Sequence, residues 1–213
     1  MNSSRRKFLT KSAALGGIII SPFEKLLSAP LSFTVPADFK VIIMATKWGY
    51  EGDWDSFCKK VKDLGYDGIE VWWPADEVNQ RDMFAALKKY QLSIGFLAGG
   101  SDKNPATHFD QFKKMINGAA YQKELRPLYI NCHSGRDYFT IEQNKPLIDH
   151  TIALHKEMGI LICHETHRSR ILFAAHIARQ YIEKFADLRL TLDISHWCNV
   201  HETLLQDQEE TVQ

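Results

Sequence analysis

Gly65-Tyr66-Asp67-Gly68-Ile69-Glu70-Val71-Trp72-Trp73 ends one helical pattern and opens one strand. Upstream, Asp53 can cap a helix whose Trp54, Phe57, Val61 and Leu64 share one face, with Gly65 as its terminator. Asp67–Trp73 then reads as a short apolar strand. Alternation puts Ile69, Val71 and Trp73 on one side and Glu70 and Trp72 on the other. A glutamate inside so apolar a run is hard to explain as surface and points to a pocket. Helical periodicity resumes at Met83, Phe84, Leu87 and Tyr90.

The same beat runs along the chain. Lys40–Thr46, Leu92–Leu97, Pro127–Cys132, Ile160–Cys163 and Arg189–Asp193 are further strand-like runs. Ile171, Leu172, Ala175, Ala178, Ile182 and Phe185 repeat the helical device. Alternating strand and helix at roughly 30 residues per unit predicts a parallel sheet, and a (β/α)8 barrel of about 250 residues keeps that beat. The expected fold is therefore α/β, a (β/α)8 TIM-barrel type that is incomplete, with about six βα units. A doubly wound open sheet is the rival. It announces itself by a glycine-rich phosphate turn after the first strand, and Thr46-Lys47-Trp48-Gly49-Tyr50 is not one.

The chain has 213 residues, 45% of them hydrophobic, which supplies one domain with a real core. Its formal net charge of zero lacks the electrostatic footprint of a general nucleic-acid binder. No apolar run of about 18 residues offers an ordinary membrane span. Four cysteines without a CxxC pair do not make a disulfide scaffold. The first thirty residues are set apart. Ser3-Ser4-Arg5-Arg6-Lys7-Phe8-Leu9-Thr10, followed by the apolar Ala13–Ile20, resembles a twin-arginine export signal. The expectation is a signal segment at 1–30, a partial barrel at 31–213 and a periplasmic destination.

Polar groups collect where the strands end: Lys47, Glu70, His133, Glu165 and Asp193. In the fourth strand Tyr129, Asn131 and His133 oppose Leu128, Ile130 and Cys132; in the fifth, Leu161, Cys163, Glu165 and His167 are in phase; in the sixth, Arg189, Thr191 and Asp193 oppose three leucines. Apolar faces meet helices and polar faces point inside a barrel, whose active sites form at the C-terminal rim. Capping the loop or helix after each strand is the plainer alternative for Glu165 and Asp193, but two such carboxylates on adjacent strands favour the site. His164, His167 and His201 stay open between site and structure. His150, His155 and His176 lie in helical patterns as packing or surface residues, and Cys132 and Cys163 read as small core residues. Carboxylates and imidazoles converging on one rim suit a divalent metal: Mn²⁺, Mg²⁺, Co²⁺ or Zn²⁺. Such an ion polarises a carbonyl while a carboxylate removes the neighbouring proton.

Glu165 after the fifth strand, Asp193-x-x-His196 after the sixth, Gly65-Tyr66-Asp67-Gly68-Ile69-Glu70-Val71 and Asn131-x-His133-x-Gly135 together resemble the xylose isomerase-like barrel superfamily. This superfamily includes sugar and sugar phosphate isomerases and epimerases, inosose dehydratases and type IV apurinic endonucleases. The resemblance covers residues 38–205 and implies a metal-dependent isomerase or epimerase acting on a small sugar or polyol through an enediolate. It makes Glu165 a metal ligand and acid/base, Asp193 a ligand and His196 a substrate contact. It adds Glu70 and His133 as pocket residues. Arg168 joins the substrate contacts by position alone.

The resemblance also sets a deficit. The superfamily completes its metal site with a histidine from strand seven and a glutamate from strand eight, and this chain ends soon after strand six. Glu202–Gln213 reads as the start of the next loop or helix, cut short, so a fragment with weak metal binding and little turnover is expected. Two other readings stay open. One is an apurinic endonuclease relative, although strand three ends Phe96-Leu97-Ala98-Gly99-Gly100 without a histidine. The other is a non-catalytic carbohydrate-binding barrel with Trp48, Trp72, Trp73 and Trp197 as stacking surfaces, although the four read equally well as core residues.

Overall fold

In a computed structural model, the structure describes residues 40–206. The signal-like segment at 1–30 and the last residues of the tail lie outside them. Six strands alternate with helices: β1 (Met44–Thr46), α1 (Trp54–Asp63), β2 (Gly68–Trp72), α2 (Glu77–Tyr90), β3 (Ser93–Gly99), α3 (Pro105–Tyr121), β4 (Tyr129–His133), α4 (Ile141–Met158), β5 (Leu161–Glu165), α5 (Ala175–Lys184), β6 (Leu190–Thr191) and α6 (Ile194–His201). All strand pairs are parallel and the sheet runs β1 to β6 in chain order. Sequential order with one helix per crossover is the barrel's winding, and a doubly wound sheet would reverse direction partway. The described residues form a curled, incomplete (β/α) barrel with β1 and β6 at its edges.

Local chemistry sets the boundaries. Asp53, Asp76 and Asn104 cap α1, α2 and α3 by accepting from backbone N–H groups in the first turn. Thr140 and Gln143 form a reciprocal capping box on α4, which Gly159 ends at φ 62°. Gly65, at φ 81°, turns the chain from α1 into β2.

The apolar faces do meet the helices. Ile69, Val71, Ile94, Phe96, Ile130, Cys132 and Ile162 pack with Phe57, Val61, Leu87, Phe112, Ile116 and Leu154 in the main core. A second core gathers Ile148, Ile171, Leu172, Ala175, Ala178, Tyr181, Phe185 and Trp197 around α5 and α6, joined by Leu205.

Three expectations change and one alternative is decided. β1 starts at Met44, so Val41 and Ile42 stay exposed before it, and Ile43, exposed too, is tied to Asp67, whose N–H it accepts and whose Oδ2 it donates to, both at 2.9 Å. Ile171 and Leu172 enter the core from the turn before α5, not from the helix. Leu64 and Ile182 sit at the margins of their helices' apolar stripes and are exposed. Trp197 takes the core role of its two readings: it is buried in the second core and donates its indole N–H to the Leu172 carbonyl, 2.8 Å away.

Candidate functional site

Strand register builds the site in layers. Thr46, Glu70, Gly95 and Tyr129 are aligned across β1–β4, as are Trp72, Leu97, Asn131 and Cys163 across β2–β5. Above them Gly99 pairs with His133, and Glu165 with Thr191. Each layer points to the concave side because side chains alternate. A Cβ at Gly95 would fall 2.6 Å from the Tyr129 ring. The glycine therefore lets that ring cross β3 and donate its hydroxyl to Glu70 Oε2 at 2.5 Å. Burial, then the Glu70 contact, pushes the Tyr129 hydroxyl well up, so it stays a donor.

At the C-terminal rim a cavity of about 420 Å³ gathers Glu70, Asn131, His133, Glu165, His167, Arg168, Thr191, Asp193 and His196, with Trp48 and Leu97. Glu165 is its centre and is 9% exposed. Its Oε2 lies 2.9 Å from His133 Nε2 and accepts from Asn131 Nδ2 at 2.5 Å. Its Oε1 lies 4.0 Å from His196 Nε2, which is 3.7 Å from Asp193 Oδ2. Burial pushes the Glu165 carboxyl up, but hydrogen bonds and charge from His133, then Asn131 and His167, outweigh it and hold it low. Burial also raises Asp193, and its bonds from Ser195 with the fields of His196 and His167 bring it down. Both groups are carboxylates at neutral pH.

Asp193 combines capping with a place in the site. Its Oδ1 accepts from Ser195 N and Oγ and caps α6, leaving Oδ2 toward His196. Thr166 sets its position: the buried hydroxyl accepts from Asp193 N at 2.8 Å and donates to Asp193 O at 3.1 Å. That clip ties the rim of β5 to the rim of β6.

The six residues singled out for the site, Glu70, His133, Glu165, Arg168, Asp193 and His196, all line this cavity. Arg168 stands exposed at its edge. Lys47 does not join them. One residue past β1 it turns to the helix side, donating to Tyr50 O and sitting 5.4 Å over the Trp54 ring. Of the open histidines, His167 joins, its ring 4.6 Å from His133 and 3.8 Å from His196. Its phase with Glu165 on β5 was the signal, and sequence alone could not tell whether the strand continued past Glu165.

His201 lies beside His176 instead. His164 faces the helices, fully buried between Ser134 Oγ at 2.7 Å and Thr151 Oγ1 at 2.8 Å. Thr151 Oγ1 donates to Ile148 O, so it accepts from His164 Nε2, and His164 Nδ1 accepts from Ser134. The four cysteines are free, and burial raises the Cys132 and Cys163 thiols, which suits inert packing.

Two donor sets share Glu165: His133, Glu165 and His167, and Glu165, Asp193 and His196, each with ligand atoms within 4.8 Å of one another. Among the described residues, His196 Nδ1 and Asn131 Oδ1 are buried without a hydrogen-bond partner, and neither Glu165 nor Asp193 is paired with a lysine or arginine. Anionic oxygens and imidazole nitrogens converging without a resident cation fit a divalent metal.

No protein-family model matches the chain, and no curated protein resembles it significantly. Solved structures do. It is similar to 3-keto-D-glucoside 4-epimerase YcjR from E. coli, with TM-score 0.57 and 16% identity, covering 81% of this chain and 76% of that one. It is similar to a D-tagatose 3-epimerase-like protein, with TM-score 0.52 and 18% identity, over 65% and 60% of the two chains. It is similar also to the probable 3-DHS dehydratase AsbF from Bacillus anthracis, with TM-score 0.54 and 13% identity, over 81% and 70%. The chain thus shares the (β/α) barrel fold of these three structures and spans 60 to 76% of their length.

Proposed function

We propose that the chain is a metal-dependent sugar isomerase or epimerase, acting on a small sugar, sugar phosphate or polyol by proton abstraction next to a carbonyl. The observation that carries this reading is the convergence of Glu165, Asp193 and three histidines in one rim cavity. Epimerases and a dehydratase among the structural neighbours support it. Glu165 and Asp193 would hold the cation, and His133, His167 and His196 lie within ligand reach of them. When bound, the ion polarises the substrate carbonyl and offsets the charge of the enediolate.

The side chains do the rest. Glu165 removes the proton α to the carbonyl, and its lowered pKa keeps it ready as a base at neutral pH. Asn131 and His133 fix its Oε2, which leaves Oε1 for the proton. Glu70, steadied by Tyr129, and Arg168 contact substrate oxygens with His196 and His133. Return of the proton to the adjacent carbon isomerises the sugar; return to the opposite face epimerises it.

The test is solvent exchange. With Mn²⁺ and D-fructose in D₂O, the full chain is expected to place deuterium on the carbons beside the carbonyl, followed by NMR, and to stop when the metal is chelated. Calorimetric Mn²⁺ binding is the independent readout. Metal binding without exchange into fructose or any of a panel of ketoses and inososes would favour a carbohydrate-binding role.

We also propose that residues 1–30 direct twin-arginine export to the periplasm. Replacing Arg5 and Arg6 by lysine in a reporter fusion is expected to leave the protein in the cytoplasm. Undiminished periplasmic reporter would overturn that.

A further inference from the structure

A second cavity, of about 670 Å³, opens beside the first and has no part in the chemistry above. Its walls come from the β2–α2 turn, the end of β3 and the inner side of α3. Trp72, Trp73, Ala75 and Met115 make it apolar, and Arg170 and Lys114 add donors. Trp72 separates the two cavities. Its ring lines the second and packs edge-on against His133 of the first, with centroids 4.9 Å apart. Gly99 permits that contact, since a Cβ there would meet Trp72 at 3.3 Å and His133 Cβ at 3.4 Å.

The walls are built before any ligand arrives. Trp73 is held edge-on by Phe96, centroids 5.2 Å apart, and Gly118 lets α3 approach its indole, where a Cβ would fall 2.4 Å from Nε1. Met115 Sδ accepts from Gly99 N. Arg170 is clamped through one nitrogen, donating to Gly100 O at 3.0 Å and Gly135 O at 3.2 Å. Its remaining N–H groups have no hydrogen-bond partner among the described residues, and it lines the cavity. An indole wall with guanidinium donors beside it suits a pyranose ring, which has one apolar face and a rim of hydroxyl oxygens.

We propose that this cavity is a second-ring subsite: the substrate is a glycoside whose reacting sugar sits at Glu165 and whose second pyranose ring lies against Trp72, its hydroxyls meeting Arg170. This rests on the sugar reading above and narrows its substrate class. The short distance from Trp72 to His133 lets one glycosidic link carry a ligand from one cavity into the other.

Calorimetry on the full chain with Mn²⁺ tests it, comparing D-fructose with two ketose disaccharides, lactulose and isomaltulose. At least one disaccharide is expected to bind about ten-fold tighter than fructose. Ala75→Trp and Lys114→Trp fill the cavity from exposed positions outside the first site; each is expected to abolish the gain and leave fructose binding unchanged. Disaccharides binding no tighter than fructose, or a gain that survives in a folded filling variant, overturns the subsite. Glu165→Gln reports on the underlying reading separately. If it leaves every sugar's affinity unchanged, the placement of the reacting sugar falls. A disaccharide gain lost on filling would still stand for the ring pocket.

Discussion

Glu165→Gln is expected to slow deuterium exchange into the sugar about a thousand-fold and to weaken Mn²⁺ binding in the same protein. Both effects arise from one position. Glu165 is the residue shared by the two donor sets and the most buried carboxylate of the cavity. A glutamine keeps the shape and can still bond Asn131 and His133, but it cannot take a proton and brings no negative charge. A thousand-fold loss corresponds to about 4 kcal/mol of transition-state stabilisation, within the reach of a lost general base. Folding is not expected to suffer in proportion, because a buried carboxylate costs desolvation that the amide avoids. Exchange within about three-fold of the parent protein at saturating Mn²⁺ would remove Glu165 from the role of base.

Much of this arrangement was legible in the sequence because two periodicities carry it. The strand–helix beat set the winding, and alternation along β4, β5 and β6 put Asn131 with His133, Cys163 with Glu165, and Thr191 with Asp193 on the concave side. What stayed hidden depends on contacts between distant segments. Nothing local to Tyr129 tells that it crosses Gly95 to reach Glu70, or that Thr166 clips the backbone of Asp193. Lys47 stands at a strand end, where a charge can belong to the rim, but it reads better as a loop lysine. The turn after β1 swings it to Tyr50 and Trp54, where its charge finds ring faces and a carbonyl. Trp197 takes the core alternative: α6 is short, and its apolar face is needed to cover Leu172 and α5. His164 and His167 flank Glu165 closely in sequence yet serve opposite sides of the sheet, one locked among helix-side hydroxyls and one in the cavity.

The burial of His164 predicts a second large effect, on stability rather than rate. Its ring is fully buried, and burial pushes its pKa from the ordinary 6.5 down to about 4. Above pH 6.5 the imidazole is neutral in folded and unfolded chains alike, so the full stability is present. As pH falls below 6.5 the unfolded chain binds a proton that the folded one refuses, and the folded state loses ground until about pH 4, where both are protonated. A difference of this size is worth about 3 kcal/mol in total, with about 2 kcal/mol gone by pH 5. His108, His150 and His167, all held down by burial, act with the same sign over that window. The lowered carboxylates Glu165 and Asp193 add their loss only at more acid pH. Urea unfolding at pH 7.5, 6, 5 and 4.5 is expected to show a steady fall in the unfolding free energy. His164→Gln keeps an acceptor for Ser134 and a donor for Thr151 but does not titrate, so it is expected to flatten the profile. A parent protein as stable at pH 5 as at pH 7.5 would show that the His164 ring is open to water or protonated in place.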